Sequence, residues 1–145
     1  MEAERWGVHM SWMQNHIDEF RANGGKLGGG FEGQPVLLLT TTGRKSGEPR
    51  TAPMMYLQED GRLYVFASKG GAPTNPHWYQ NLVANPNVTV ELGTERFGAT
   101  ARPLDREERD RVYAKQVELY PQFGEYETKT DRTIPVVELI RDGAA

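Results

Sequence analysis

Asp60-Gly61 stands between two short β-prone runs, and an Asp-Gly pair in that setting closes a tight hairpin. The runs are about 50–58 (Arg-Thr-Ala-Pro-Met-Met-Tyr-Leu-Gln) and 62–67 (Arg-Leu-Tyr-Val-Phe-Ala). A second pair, about 87–92 and 95–103, flanks the turn at Gly93-Thr94. Ahead of both, Pro35 introduces the apolar, β-branched strand Val36–Thr42, which ends at a glycine-flanked turn. A last strand is expected at about 134–140. Hairpin-joined strands run antiparallel, whereas a doubly wound parallel sheet needs a long crossover after each strand. The chain is thereby confined to a mainly antiparallel sheet. Pro53, inside the second strand, predicts an edge or a bulge there.

Three helices are predicted around these strands. Trp6, Met10, Met13, Ile17 and Phe20 form one apolar stripe of a helix over about 5–22, stopped at Asn23-Gly24-Gly25. Its acidic residues (Glu2, Glu4, Asp18, Glu19) favour core packing or a substrate lid over a membrane surface. Asn75-Pro76 reads as an N-cap and a first-turn proline for a helix to about Val83. Asp105-Arg106-Glu107-Glu108 reads as a capping-box-like start for a helix of about 105–119. The class is α+β: a six-stranded barrel with an N-terminal helix and two further helices on its outside or ends. The 145 residues suit one domain spanning 1–145, its first 30 or so being the N-terminal helix and a glycine-rich connection. No internal repeat is present.

Composition removes several functions. There is no cysteine, so thiolate nucleophiles, disulfides and cysteine-held metal centres are excluded. A formal charge of −3 argues against broad nucleic-acid binding. His9, His16 and His77 are scattered and match no metal motif. No apolar run approaches the roughly 20 residues of a membrane span, and the acidic start does not resemble a signal peptide. A cytoplasmic protein is expected, with peripheral membrane attachment added only by analogy.

Three segments are candidate sites. Gly43-Arg44-Lys45-Ser46-Gly47 with Arg50 combines backbone amides and cations suited to an anion, although alone it reads more readily as a solvated hairpin. Phe66-Ala67-Ser68-Lys69-Gly70-Gly71 follows a strand and approaches a helix N-terminus, with a capped glycine loop as its plain reading. Trp78, Tyr79, Tyr120, Phe123 and Tyr126 supply aromatics that either fill the core or stack on a planar ring; the last three are spaced by three in a Pro-Gly-rich stretch where Pro121 interrupts helix.

The blocks Pro35–Arg50 (PVLLLTTTGRKSGEPR), Phe66–Asn81 (FASKGGAPTNPHWYQN) and Asp131–Val136 (DRTIPV), in this order, closely resemble the deazaflavin-dependent nitroreductase and quinone reductase family. The resemblance runs from about Gly28 to the end. It implies the split β-barrel (FMN-binding-like) fold and reduced coenzyme F-420, an 8-hydroxy-5-deazaflavin, as hydride donor. It implies phosphate contacts from Arg44, Lys45 and Ser46, and a cofactor-lining stretch of Arg50, Thr51, Ala52, Pro53, Met54 and Met55. Phe66, Ala67, Ser68 and Lys69 would add contacts, and His77, Trp78, Tyr79, Gln80 and Asn81 would cradle the ring system and its chain. Ser68, Tyr120 and Tyr126 would face the acceptor as catalytic residues, with Phe123 beside the cofactor. The acceptors implied are quinones, enones or nitroaromatics. Phe123 and Met55 stand where the nitroimidazole-reducing pattern has tyrosine, which favours quinones. The competing readings are an FMN-dependent oxidoreductase on the same barrel and a non-catalytic cofactor carrier.

Overall fold

The computed structural model describes residues 14–28 and 33–143. Of the predicted first stripe, Trp6, Met10 and Met13 lie outside the described residues, as does His9. Helix α1 is described over 14–22. It is followed by β1 (Val36–Thr42), β2 (Pro49–Glu59), β3 (Arg62–Phe66), a 3-10 turn (Lys69–Gly71), α2 (His77–Ala84), β4 (Asn87–Leu92), β5 (Glu95–Pro103), α3 (Arg106–Leu119), α4 (Gln122–Thr128) and β6 (Val136–Arg141). The six strands close into an antiparallel barrel in the order β1-β2-β3-β6-β5-β4.

β2 is long enough to serve two neighbours in succession. Pro49–Met55 pair with β1, and Tyr56–Glu59 pair with β3. Pro53 faces Leu38 of β1 and lies before the β3 pairing begins, so its missing N–H costs no ladder bond. The expected edge is thus local to one half of a strand in a closed barrel.

Strand alternation divides the core. Leu37 and Leu39 of β1, Leu63 and Val65 of β3, and Val137 and Leu139 of β6 point into the barrel, where Leu82 of α2 joins them. The neighbours on the other face pack under helices. Val36 and Leu38 lie beneath Ile17 and Phe20 of α1. Tyr64, Phe66 and Val136 lie beneath Val112 and Tyr113 of α3 and Phe123 of α4. β1 therefore reads as an unbroken apolar run because both of its faces are covered.

The end of α1 docks on the β4–β5 turn. Gly25 (φ 93°) would carry a Cβ 2.6 Å from Gly93 Cα, so only glycine permits that approach. Arg21 Nε and Nη2 donate to Glu91 Oε1 and Oε2, both at 2.9 Å. Those bonds hold the Glu91 carboxyl below its usual pKa, against the opposing effect of burial.

Two sequence expectations change. Three helices follow α1, not two, because Pro121 is a cap residue for α4 rather than a breaker. Gly124 lets α4 lie against α3: a Cβ there would sit 3.2 Å from Val117 Cγ1. Asn75 does not cap α2. The cap residue is Pro76, without a side-chain bond, and the Asn75 side chain is engaged by Arg132. At α3 the expected cap is present, with Asp105 Oδ1 accepting from Glu108 N at 2.9 Å. No helix of the described residues is long and apolar enough to cross a membrane.

Candidate active site

The hairpin loop after β1 is shaped by short bonds. Gly43 N donates to Glu48 O and Gly47 N to Gly43 O, both at 2.8 Å. A Cβ on Gly43 would lie 2.6 Å from Ser46 Oγ, so the missing side chain lets the hydroxyl fold back over the loop. Ser46 Oγ accepts from Glu48 N (3.2 Å) and from Arg50 Nη2 (3.5 Å), and neither bond uses its proton. Arg44, Lys45 and Arg50 are exposed. The Arg50–Glu48 pair, 3.6 Å apart and exposed on both sides, contributes little and leaves Arg50 free to turn to a stronger anion.

The loop is tied to α2 through buried Asn81. Its Oδ1 accepts from Arg44 N (3.1 Å) and Arg44 Nη1 (3.3 Å), and its Nδ2 donates to Thr41 Oγ1 (3.2 Å). Asn81 thus fixes the loop rather than reaching outward. In the rest of that helix, Trp78 and Tyr79 meet edge to face at 6.4 Å and lean on the barrel core, Gln80 donates to Asn75 O, and His77 is exposed.

The predicted lining stretch 50–55 divides by alternation. Ala52 and Met54 belong to the barrel interior. Thr51, Pro53 and Met55 fall on the outer face, where the Thr51 and Thr40 hydroxyls bond at 2.7 Å. Four residues of strand, about 13 Å, separate Thr51 from Met55. Beyond Met55, Gln122 Nε2 lies 3.8 Å from its sulfur, and Tyr120 lines an open cleft of about 1000 Å³ with Lys26, Leu27, Gln34 and Pro35.

Phe66 and Ala67 are buried, and the Phe66 ring packs on Tyr113 and Phe123. Phe123 is itself a core residue, edge-on to Tyr126 at 5.2 Å, with Tyr113 donating to its carbonyl oxygen at 2.6 Å. Ser68 is half-buried. Lys69 is exposed in a left-handed conformation (φ 47°), its Nζ 3.3 Å from Thr74 Oγ1. Tyr120 and Tyr126 are half-buried. Nearby Tyr56, not singled out from the sequence, has its pKa raised by burial first and then by Tyr120, so its hydroxyl keeps its proton at neutral pH.

Sequence reasoning also passed over Arg132. Its Nε donates to Ala72 O (2.8 Å), Nη1 to Ala67 O (3.1 Å) and Asn75 Oδ1 (2.8 Å), and Nη2 to Ser68 O (2.8 Å). Burial lowers its pKa from the usual arginine value. Its acceptors are mostly main-chain oxygens 57 to 65 positions away, which no residue pattern announces.

Among the described residues no group of His, Asp and Glu could hold a metal ion. A split β-barrel with a cationic, amide-bearing rim beside an aromatic-edged cleft is a scaffold for a bound redox cofactor. The sequence profile of the F420H(2)-dependent quinone reductases matches residues 12–140, and the chain belongs to that family. An F420H(2)-dependent quinone reductase of Mycobacterium tuberculosis is 37% identical over 150 residues, 97% of this chain and 99% of that protein. Among solved structures, an F420-H2 dependent reductase is 48% identical, covering 72% of this chain and 93% of its own, at TM-score 0.66. A further solved structure, described only as a domain-swapped dimer, is 41% identical over 90% of this chain and 98% of its own, at TM-score 0.68.

Proposed function

We propose that this protein carries hydride from reduced coenzyme F-420 to a quinone, with the coenzyme lying along the outer face of β2. One observation carries the placement: the basic hairpin leads into the line Thr51–Pro53–Met55 on one strand face, and Met55 packs on the same apolar cluster as Tyr120, which borders the cleft. The donor set suits the group. The cradle over Gly43 offers a hydroxyl proton from Ser46, and Arg44, Lys45 and Arg50 surround it with charge, which is the chemistry of a phosphate and an acidic tail.

When bound, the reduced deazaflavin supplies the hydride, and the protein supplies position, shielding and charge. Arg44, Lys45 and Ser46 hold the anionic end. Pro53 and Met55 give the ring an apolar surface free of backbone donors at Pro53. Trp78 and Tyr79 stand on α2, the helix that Asn81 ties to the hairpin. Tyr120 borders the cleft, where its hydroxyl can give a proton to a quinone oxygen. Ser68 and Tyr126, both half-buried, are the other candidates to face the acceptor. Phe123 has no hydroxyl where the nitroimidazole-reducing pattern has tyrosine, which favours a quinone over a nitro compound as the acceptor.

Titration of the purified protein with coenzyme F-420, followed by fluorescence, tests the reading. Saturable binding in the micromolar range is expected. A protein that ignores the coenzyme and instead purifies with bound FMN would overturn it.

A further inference from the structure

Arg132 places four hydrogen bonds on the segment 67–75, three of them on carbonyl oxygens. That segment has an uncommon backbone. Ser68 is right-handed (φ −72°, ψ −42°), and Lys69, Gly70 and Gly71 are left-handed, with φ of 47°, 61° and 84°. A lysine in that region is strained, and such a conformation persists only where its surroundings enforce it. Arg132 enforces it from below through the carbonyls of Ala67, Ser68 and Ala72. α4 enforces it from the side, because a Cβ on Gly71 would lie 2.7 Å from Tyr126 O.

With the carbonyls turned down to the guanidinium, the amides turn away. Gly71 N and Ala72 N close the turn on Ser68 O and Lys69 O, while the amides of Ser68, Lys69 and Gly70 have no backbone acceptor among the described residues. A right-handed residue followed by a left-handed one makes successive N–H groups converge into an anion-receiving concavity. The Lys69 ammonium stands on the same turn.

We propose that Arg132 is a positioning residue that builds this turn, so that the amides of Ser68, Lys69 and Gly70 receive a negatively charged or electron-rich oxygen of the bound coenzyme. The inference rests on the functional reading above for the identity of the ligand, and on the turn alone for its anion chemistry. Lysine cannot replace the fork: a single ammonium on a flexible stem does not span the four acceptors that a planar guanidinium reaches.

Two measurements separate the claims. In wild-type protein, inorganic phosphate should shift the amide resonances of Ser68, Lys69 and Gly70, and Arg132→Lys should abolish the shift. Coenzyme F-420 should bind Arg132→Lys and Arg132→Ala about tenfold or more weakly, the loss expected when a charge-assisted network is broken. Methylguanidinium should restore coenzyme binding to Arg132→Ala without altering wild type. Where Arg132→Ala fails to fold, Arg132→Lys and Asn75→Ala, which removes one acceptor, carry the test. The inference falls if Arg132→Lys binds coenzyme and phosphate as wild type does, if wild-type amides ignore phosphate, or if methylguanidinium raises thermal stability but not binding. If phosphate shifts the amides in an Arg132-dependent way while wild type ignores coenzyme F-420, the turn stands and the coenzyme reading falls.

Discussion

The loops 43–48 and 67–75 look alike in sequence, each basic, glycine-containing and placed after a strand, yet they are built in opposite ways. The first is a self-closed hairpin whose cations project outward, and one buried asparagine ties it to α2. The second closes its own turn through Gly71 N and Ala72 N but is also held by a side chain from far along the sequence. It contains three consecutive left-handed residues and is stretched over a guanidinium that fills its inside. The first loop offers charge; the second offers oriented amides. Two anion-directed surfaces of different kinds suit a ligand with a charged end and a polar ring better than two copies of one device would.

The contrast breaks most sharply at glycine. Gly71→Ala combines a left-handed backbone with a Cβ 2.7 Å from Tyr126 O and should cost about 3 kcal/mol in denaturant unfolding. Gly47→Ala, also left-handed (φ 73°) but with no atom within 4 Å, should cost about 1 kcal/mol. Equal losses would show that the second loop is no more constrained than the first.

Asn81→Ala should cost about 2 kcal/mol, since Thr41 Oγ1 and Arg44 N lose a buried partner. It should also weaken coenzyme binding by freeing the hairpin. Unfolding and coenzyme titration of the same sample measure both effects.

The paired substitution Arg44→Ala and Lys45→Ala should weaken coenzyme binding about tenfold while changing stability by less than about 0.5 kcal/mol, because exposed loop charges contribute little to folding. Normal binding by this variant would remove the phosphate assignment from the first loop.

A remote control sharpens the comparison by leaving both loops alone. Arg21 holds the Glu91 carboxyl below its usual pKa, so that stabilisation is full above the titration of a free carboxyl and is lost as pH falls through the lowered folded value. Glu91→Gln should cost under about 1 kcal/mol at neutral pH, diminish the acid-side loss of stability, and leave coenzyme affinity unchanged.

Much of this was legible in the residues. Asp60-Gly61 and Gly93-Thr94 announced their hairpins, and both strands of the second hairpin have the expected bounds. Asp105 announced its cap. What stayed hidden depends on distance. The sequence has no sign that Asn75 would be claimed by a side chain 57 positions later, or that Arg132 would organise the loop ahead of α2. Pro121 and Gly124 suggested a broken segment because their helical use depends on packing against α3. In the candidate site, the run 50–55 was visible as a run, but its division into interior Ala52 and Met54 and outer Thr51, Pro53 and Met55 required the barrel. Phe123 looked like a pocket aromatic by spacing, and closure of α4 over Phe66 puts its ring in the core.

Anaerobic mixing of catalytic protein with reduced coenzyme F-420 and the quinone menadione tests the central claim most directly. The account predicts that oxidised coenzyme appears with saturation in both partners, one quinone reduced per coenzyme oxidised. Tight coenzyme binding with no oxidation by menadione or any other quinone would contradict it and leave a cofactor carrier in its place.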